Sequence, residues 1–456
     1  MKYNKLYSPA YLLAVMFIIL CTGCNEDKFV LSLNLSTNKL DFPSSGGNQM
    51  FTIECNAYYA EIGSDAPWLS WNWDYISSRA VEVTVTAAAN TSATPRTATI
   101  TISTIDDVKR TISVTQDGTL PIFNNGIVAA SNFGGGDGSQ NSPYLIADAK
   151  QLKRLADKVN NDHQNYANTF FKLMADIEVT ANEWIPIGHS NAFRGDFDGN
   201  GHTIKGILQS NKFGYFGFFG QIVFGARISN LTIAATVINE FSESSASTGA
   251  IAGFISNSEI TNCKTLASAS ISGGGYIGGI AGRVDLGNIN DCINDAFITW
   301  KSNTYLVGGI AGNNRRYADG NNAGIINNCI NNGVISGEYQ ATIGGIVGSN
   351  ENYAIIIHCT NTNDVSNLYD GMTLVGGIAG ENKGVIHTSL NTGNITGYEY
   401  YYYWSVGGIA GENRGDIYSC CTNLGTLYNL QGYTGWAEIG EGWQQLEPCP
   451  DGHTKR

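Results

Sequence analysis

The sequence predicts an all-β chain, a small antiparallel β-sandwich followed by a parallel β-helix, on three observations. A five-residue phrase appears six times in the second half: Gly249-Ala250-Ile251-Ala252-Gly253, Gly278-Gly279-Ile280-Ala281-Gly282, Gly308-Gly309-Ile310-Ala311-Gly312, Gly344-Gly345-Ile346-Val347-Gly348, Gly376-Gly377-Ile378-Ala379-Gly380 and Gly407-Gly408-Ile409-Ala410-Gly411. Its isoleucines lie 29, 30, 36, 32 and 31 residues apart, a period that marks stacked units sharing one continuous core. Between the phrases run short β-branched segments and Asn/Gly turns, without helix-forming stretches. Ahead of the repeats, residues 31–118 alternate apolar and polar in several runs, the period of half-buried strands.

Taken in order, the chain opens with Lys2 and Lys5, an apolar run from Tyr11 to Leu20, and then Cys21-Thr22-Gly23-Cys24. A basic start, a short apolar stretch and small residues before a cysteine read as a secretory signal, and the run is too short to span a membrane. Gly23-Cys24 resembles a bacterial lipobox, with Cys21 where Leu is usual. That resemblance implies a lipoprotein signal peptide at 1–23, acylation of Cys24 and a tether at 24–30. Cleavage without a lipid is the alternative. Asn25-Glu26-Asp27-Lys28 resembles the acidic export tag of surface lipoproteins in Bacteroidetes-type bacteria, which implies a surface-exposed lipoprotein of the cell outer membrane.

Residues 31–118 hold strand-like runs at 49–55, 81–86, 97–102 and 110–116, so an antiparallel sandwich is expected. Pro67-Trp68-Leu69-Ser70, Arg96-Thr97-Ala98-Thr99-Ile100 and Ile112-Ser113-Val114-Thr115-Gln116 resemble a BACON domain. The resemblance implies an immunoglobulin-like fold, found beside glycan-degrading machinery, that binds carbohydrate or serves as a spacer. Trp71 and Trp73 share one strand face by period-two alternation. A ring pair there either stacks on sugar or fills the core, and burial is the favoured reading. Trp68 is read as core.

Residues 119–143, with Gly134-Gly135-Gly136-Asp137-Gly138, read as a linker. Leu152, Leu155, Ala156 and Val159 then recur at helical spacing. An amphipathic helix there would cap the open end of a solenoid running from 144 to 430, with 431–456 as a C-terminal cap or tail. Each repeat carries a second isoleucine (Ile260, Ile289, Ile326, Ile356, Ile386, Ile417) and, three residues on, a small residue (Cys263, Cys292, Cys329, Cys359, Ser389, Cys420). A third apolar mark follows at Ile298, Ile335, Val365 and Ile395, and 313–324 reads as an inserted loop. One coil per repeat, roughly eight coils at about 4.8 Å each, gives a rod near 40 Å.

The glycine phrases, the Asn-Cys steps and Phe197-Asp198-Gly199-Asn200-Gly201-His202 resemble GLUG-motif repeat proteins of bacterial surfaces over about 134–430. That family includes adhesin-like proteins and the non-catalytic part of some IgA-cleaving metallopeptidases. The peptidase signature H-E-x-x-H is absent, so that activity is not carried over. With both resemblances, the expected fold is an immunoglobulin-like β-sandwich followed by a right-handed parallel β-helix with an N-terminal capping helix.

Net charge narrows the partners. The precursor carries −13, and loss of Lys2 and Lys5 with the leader takes it to −15. Such a chain does not seek nucleic acid by electrostatics. Ten cysteines in an exported chain would ordinarily suggest disulfides, but five hold equivalent repeat positions. A buried column of free thiols explains them better. No metal is expected: His358 and His387 only extend the same rows, and Asp196 to Gly201 matches half an EF-hand loop with Ile207 where the bidentate Glu belongs. No cofactor is expected either.

Catalysis has little to stand on. Parallel β-helix enzymes need acids or cations clustered on adjacent coils. Asp291, Asp364 and Asp416 sit beside turns, where Asp is usually solvated. Glu381 and Glu412 stack in consecutive repeats, and two exposed turn acids are the simpler reading. The chain is therefore expected not to be an enzyme. The surviving binding candidate is an aromatic before each glycine phrase: Tyr276, Tyr305, Tyr339, Tyr369, then Tyr398 to Trp404 with Tyr401 among them. Such rings would align as a ridge suited to a polysaccharide or a host matrix or surface protein, or would seal the rod's edge. The function expected is a non-catalytic adhesin or glycan-binding lipoprotein. A polysaccharide-degrading β-helix lyase or hydrolase, or a structural part of a surface assembly, is the alternative.

Overall fold

In the computed structural model, the described residues are 4–7, 32–429, 439–442 and 446–447. Within 32–429 the description omits 45, 57–58, 78, 93–94, 105–106, 119–121, 124–125, 162–165, 181–182, 242, 316–323, 370–372, 399–405 and 419. Two compact units divide the chain, Met1–Leu120 and Pro121–Arg456.

The first unit is a sandwich of a four-stranded and a five-stranded sheet. The four-stranded sheet runs Leu33–Leu35, Gly47–Cys55, Ala80–Ala87, Leu69–Ser77. The five-stranded sheet runs Asn4–Tyr7, Tyr59–Ser64, Arg96–Thr104, Lys109–Gln116, Lys39–Phe42. Ala98, Ile100 and Ile102 face Ile112 and Val114 in the core, the alternation the sequence shows. Fully burying one such aliphatic side chain is worth roughly 1.5–3 kcal/mol. Trp71 belongs to this core and Trp73 packs against it. Trp68 is only half-buried, with the Arg96 guanidinium 4.3 Å from its ring, so it is a lid on the core edge rather than core. Asn4–Tyr7 pairs antiparallel with Tyr59–Ser64, so cleavage before Cys24 would leave the latter as an edge strand.

The second unit is a β-solenoid of about nine turns. Its strands stack into three parallel faces of 21, 11 and 8 strands. Like stacks on like, as the period requires. Ile260, Ile289, Ile326, Ile356, Ile386 and Ile417 are successive lateral neighbours on the eleven-stranded face. Ile298, Ile335, Val365, Ile395 and Leu427 do the same on the largest face. All of them join one continuous core.

The glycine phrase forms the corner between the largest and the eight-stranded faces. A Cβ on Gly278 would sit 2.0 Å from the Ala281 carbonyl oxygen, and one on Gly282 would sit 2.4 Å from the Thr248 nitrogen of the preceding coil. Backbone meets backbone on both sides of the phrase, and only glycine permits it.

Two asparagine ladders finish the coils. Asn294 donates to Asn331 (2.8 Å), Asn331 to Asn361 (2.7 Å), Asn361 to Asn391 (2.7 Å) and Asn391 to Asn423 (2.7 Å). A second ladder runs Asn314, Asn350, Asn382, Asn413 at 3.0, 2.9 and 2.8 Å. Most of these amides also donate to a carbonyl two residues on, such as Asn331 to Gly333 (2.9 Å) and Asn361 to Asn363 (2.8 Å). An unmet buried amide would cost about 1–3 kcal/mol; each coil therefore supplies the partner its neighbour needs.

The small-residue column is present, with one change. Cys263, Cys292, Cys329 and Cys359 are buried free thiols. Cys329 and Cys359 point Sγ at the carbonyls of Ile289 (3.5 Å) and Ile326 (3.4 Å). In the last repeat Cys421, not Cys420, repeats this geometry, with Sγ 3.5 Å from the Ile386 carbonyl. Cys420 is displaced toward Thr388 Oγ1 at 3.4 Å.

The helix α1, Ala149–Asn160, is where the apolar spacing places it. Asp148 caps it by accepting from the Gln151 amide at 2.8 Å, and Leu152, Leu155, Ala156 and Val159 are buried in the solenoid core. Asn160, also buried, accepts from the Gly188 amide (2.9 Å) and donates to the Pro186 carbonyl (3.0 Å). The stretch 119–143, read as a linker, does not lie free over its described residues. Ile122–Phe123 pairs with Ile177–Val179, and Phe133 packs against Tyr144 and Phe171. Its glycines serve close packing: a Cβ on Gly136 would strike the Pro143 carbonyl oxygen at 1.9 Å.

Candidate functional site

The aromatic ridge is carried by the arc between the largest face and the glycine corner. Tyr305, Tyr339 and Tyr369 stand on three consecutive coils, 55%, 47% and 36% exposed. Leu368, beside Tyr369, is 47% exposed. Among the described residues no ring contact joins the three tyrosines to one another, so they do not seal the edge by stacking.

The backbone of Tyr339 and Tyr369 is pinned. Tyr339 and Tyr369 lie at the same offset from the paired residues Ile335 and Val365. The buried Trp300 donates its Nε1–H to the Tyr339 carbonyl at 2.9 Å, and the Asn367 amide donates to the same carbonyl at 3.2 Å. Asn367 Oδ1 accepts from the Tyr369 amide at 2.9 Å, and the Leu368 amide donates to the Gly337 carbonyl at 2.9 Å. Gly337 leaves room for the Trp300 ring, which a Cβ there would meet at 2.5 Å. Trp300 is thus a latch that the sequence reading passed over; its signal was an indole one repeat before a glycine at the adjacent coil position.

The ridge is not a straight column. Tyr276 sits within the Ser270–Gly278 strand, half-buried and paired with Leu306, while Tyr305 occupies the bulge just before Leu306. The expectation that Tyr276 begins the ridge is therefore not met. Tyr401 and Trp404 fall outside the described residues, as does Cys24.

The eight-stranded face holds the stacked pair of glutamates considered for catalysis. Glu381 and Glu412 are lateral neighbours there, on strands rather than turns. Glu381 accepts from Lys383 (2.8 Å) and from Ser349 Oγ (3.2 Å), and Glu412 accepts from Arg414 Nε (2.6 Å). Burial pulls the Lys383 ammonium down, but Glu381 beside it holds it above its ordinary value. Each acid is thus bonded to a cation two residues on, in the bend that follows its strand, as in a salt-bridged surface.

The same column, read toward the N-terminus, gives Ser349, Asn313, Arg283 and Phe254. Tyr215 stacks on Phe254 (5.1 Å between centroids), Arg283 lies over Phe254 at 5.5 Å, and Asp285 clamps Arg283 through both carboxylate oxygens (3.0 and 2.7 Å). Arg315 reaches the same carboxylate at 3.2 Å. The residue following each phrase marks this column, a signal visible in the sequence and not used.

The EF-hand-like stretch is a strand, Asp196–Asp198, followed by a turn at 200–201. Asp198 Oδ1 accepts from the Asn200 backbone amide and from the Asn230 side chain of the next coil, both at 2.8 Å, and its other oxygen faces Lys172 at 3.8 Å, so its oxygens are spent on its own turn and on neighbouring coils. Among the described residues no group of three or more His, Cys, Asp or Glu side chains is placed to hold a metal. No helix among them is long and apolar enough to cross a membrane.

Comparison with known proteins identifies two segments. Residues 58–117 match the BACON family model, described as "Putative binding domain, N-terminal", and residues 339–366 match the GLUG motif. The GLUG match begins at Tyr339 and takes in Cys359 and Val365. A "Putative Gly-rich membrane protein" of Evansella cellulosilytica is 32% identical over 117 residues, 24% of this chain and 13% of that protein. The "Halomucin" of Haloquadratum walsbyi is 27% identical over 169 residues, 34% of this chain and 2% of that protein. The chain thus spans only a small part of either relative. A solved Bacteroides ovatus GH5 xyloglucanase in complex with a XXXG heptasaccharide aligns over 36% of this chain and 38% of its own, at 17% identity; its TM-score of 0.19 carries no argument.

Proposed function

We propose that this chain is a non-catalytic binding protein of the cell envelope, lipid-anchored through Cys24 and exposed at the outer membrane surface, which holds an extended polysaccharide or a host matrix protein along the solenoid. The observation that carries this reading is the tyrosine ridge: Tyr305, Tyr339 and Tyr369 stay exposed, and the Tyr339 backbone is fixed from the coils on both sides. Rings on rigid backbone bind at low entropic cost, because little order remains to be imposed. The BACON segment, described as a binding domain, supports the class of function. The relative named as a membrane protein supports an envelope location, and the basic-apolar-Cys24 leader supports the anchor.

The experiment is retention of the purified full chain on immobilised polysaccharides and matrix proteins, wild type against Tyr305→Ala/Tyr339→Ala/Tyr369→Ala. Retention by the wild type and its loss in the variant, without release of soluble fragments from the polymer, is expected. Fragment release would transfer the chain to the polysaccharide-degrading enzymes. For the anchor, Cys24→Ala should move the protein from the membrane to the soluble fraction, since one site then carries no acyl chains.

A second reading has its own observation. Ile325, Ile355 and Val385 stack on the outside of the eleven-stranded face, half-buried, with Ile357 beside them and Tyr353 59% exposed nearby. A flat aliphatic stripe of that kind suits packing in a surface assembly. Co-purification of a partner that Ile355→Lys abolishes, with the ridge variant still assembled, would favour it.

A further inference from the structure

The ridge has a direction, a step and a charge, and together they select among polymers. Tyr339 and Tyr369 stand at the same offset on successive coils, so the line they define follows the solenoid axis, and Tyr305, just before the Leu306 that pairs with Thr342, stands on the preceding coil to one side of that line. The coil step is about 4.8 Å. An extended pyranose chain linked through opposite ring positions advances by a comparable length per sugar. Polypeptide strands lying along the axis would instead have to satisfy their backbone amides, and the ridge offers tyrosine rims rather than a free strand edge.

Charge sorts the sugars. Glu338 is exposed next to Tyr339, and Lys301, on the strand that carries Tyr305, faces Glu240 at 3.7 Å. The chain as a whole carries −13. A uronic or sulfated polymer would approach like charge, and among the described residues no cluster of cations flanks the ridge to receive it.

We propose that the ridge takes a neutral polysaccharide lying parallel to the solenoid axis, with about one sugar ring per coil. This rests on the ridge being the binding site, and narrows it. Each tyrosine ring stacks on the apolar face of a pyranose, and its hydroxyl meets the ring hydroxyls at the rim. Because Trp300 and Asn367 fix the Tyr339 carbonyl, the spacing of the rings is preset rather than induced.

The test uses the full chain against arrayed neutral polymers (glucan, mannan, xylan, galactan), acidic polymers (polygalacturonate, hyaluronan, heparin) and matrix proteins. The retained neutral polymer is then supplied as oligosaccharides from disaccharide to octasaccharide. Neutral polymers should be retained and acidic ones not. Affinity should climb with each added sugar until the rings are spanned, at about three or four sugars, and then level. Tyr339→Ala/Tyr369→Ala should weaken the longest oligosaccharide roughly tenfold to a hundredfold and flatten the length dependence, with an unchanged unfolding midpoint. Preference for acidic polymers, or equal affinity for disaccharide and octasaccharide, overturns the proposal while leaving the ridge as a site. Retention of matrix protein alone, lost with the same two rings, does likewise. Retention of a neutral polymer unchanged in the double variant overturns both, and so does retention of nothing.

Discussion

Asn361 is the most informative single residue for the solenoid's stability. Its Oδ1 accepts a hydrogen bond from Asn331 at 2.7 Å, and its Nδ2 donates to Asn391 Oδ1 at 2.7 Å and to the Asn363 carbonyl at 2.8 Å. In Asn361→Ala the Asn391 Oδ1 loses that donor and the Asn363 carbonyl loses its amide. Asn331 keeps its bond to the Gly333 carbonyl. The buried Asn391 Oδ1 and the Asn331 N–H that pointed at Asn361 are thus stranded, at about 1–3 kcal/mol each, while the Asn363 carbonyl is only part-buried, so the loss should be roughly 2–6 kcal/mol. At the ladder's end, Asn423→Ala strands less, because Asn391 still bonds Gly393 at 2.9 Å, and should cost roughly 1–2 kcal/mol. Asn332→Ala, at an exposed turn of the preceding coil, should stay within about 0.5 kcal/mol. Urea unfolding of the three variants, followed by far-UV circular dichroism, gives the order. Equal losses for Asn361→Ala and Asn332→Ala would refute the ladder as a stabilising element.

Two further outcomes follow from the packing. Cys292, Cys329 and Cys359 should resist alkylation in the native protein and react as free thiols once it is unfolded, read by mass spectrometry without reduction; burial pushes the Cys292 and Cys359 thiols above their ordinary values and so suppresses the thiolate. Trp71→Ala should cost the sandwich about 3–5 kcal/mol and Trp68→Ala clearly less, because only Trp71 belongs to the core, and chemical denaturation of each variant distinguishes them.

What was legible in the sequence was whatever repeated at fixed offset. The isoleucine columns, the glycine corner and the capping helix all stand where spacing put them, since stacking in register turns a sequence period into a spatial column. The cysteine column went wrong at its last member. The extra residue in the final repeat puts Asn423 six residues after Ile417, where Asn391 follows Ile386 by five, and the column slips to Cys421. The asparagine ladders were passed over because an Asn ahead of a turn normally faces water. Here the neighbouring coil provides an amide at the right height, and only the stacked geometry reveals that partner. The ridge was half legible: Tyr339 and Tyr369 are equivalent by offset, whereas Tyr276 and Tyr305 differ by a bulge that no period announces. The linker reading failed because glycines that permit close packing and glycines that permit flexibility look alike in a sequence.

The central claim, that ligand lies along the tyrosine ridge, is tested most directly by tyrosine footprinting. The full chain is nitrated or hydroxyl-radical labelled, alone and with the polymer that the array retains, and each tyrosine is quantified by mass spectrometry. Tyr353 is an internal control, as exposed as the ridge residues and on the turn leading to the eleven-stranded face. The account predicts protection of Tyr305, Tyr339 and Tyr369 with Tyr353 still reactive. Protection of Tyr353 with the three ridge tyrosines unchanged would contradict it and move the binding surface to the aliphatic stripe of Ile325, Ile355 and Val385.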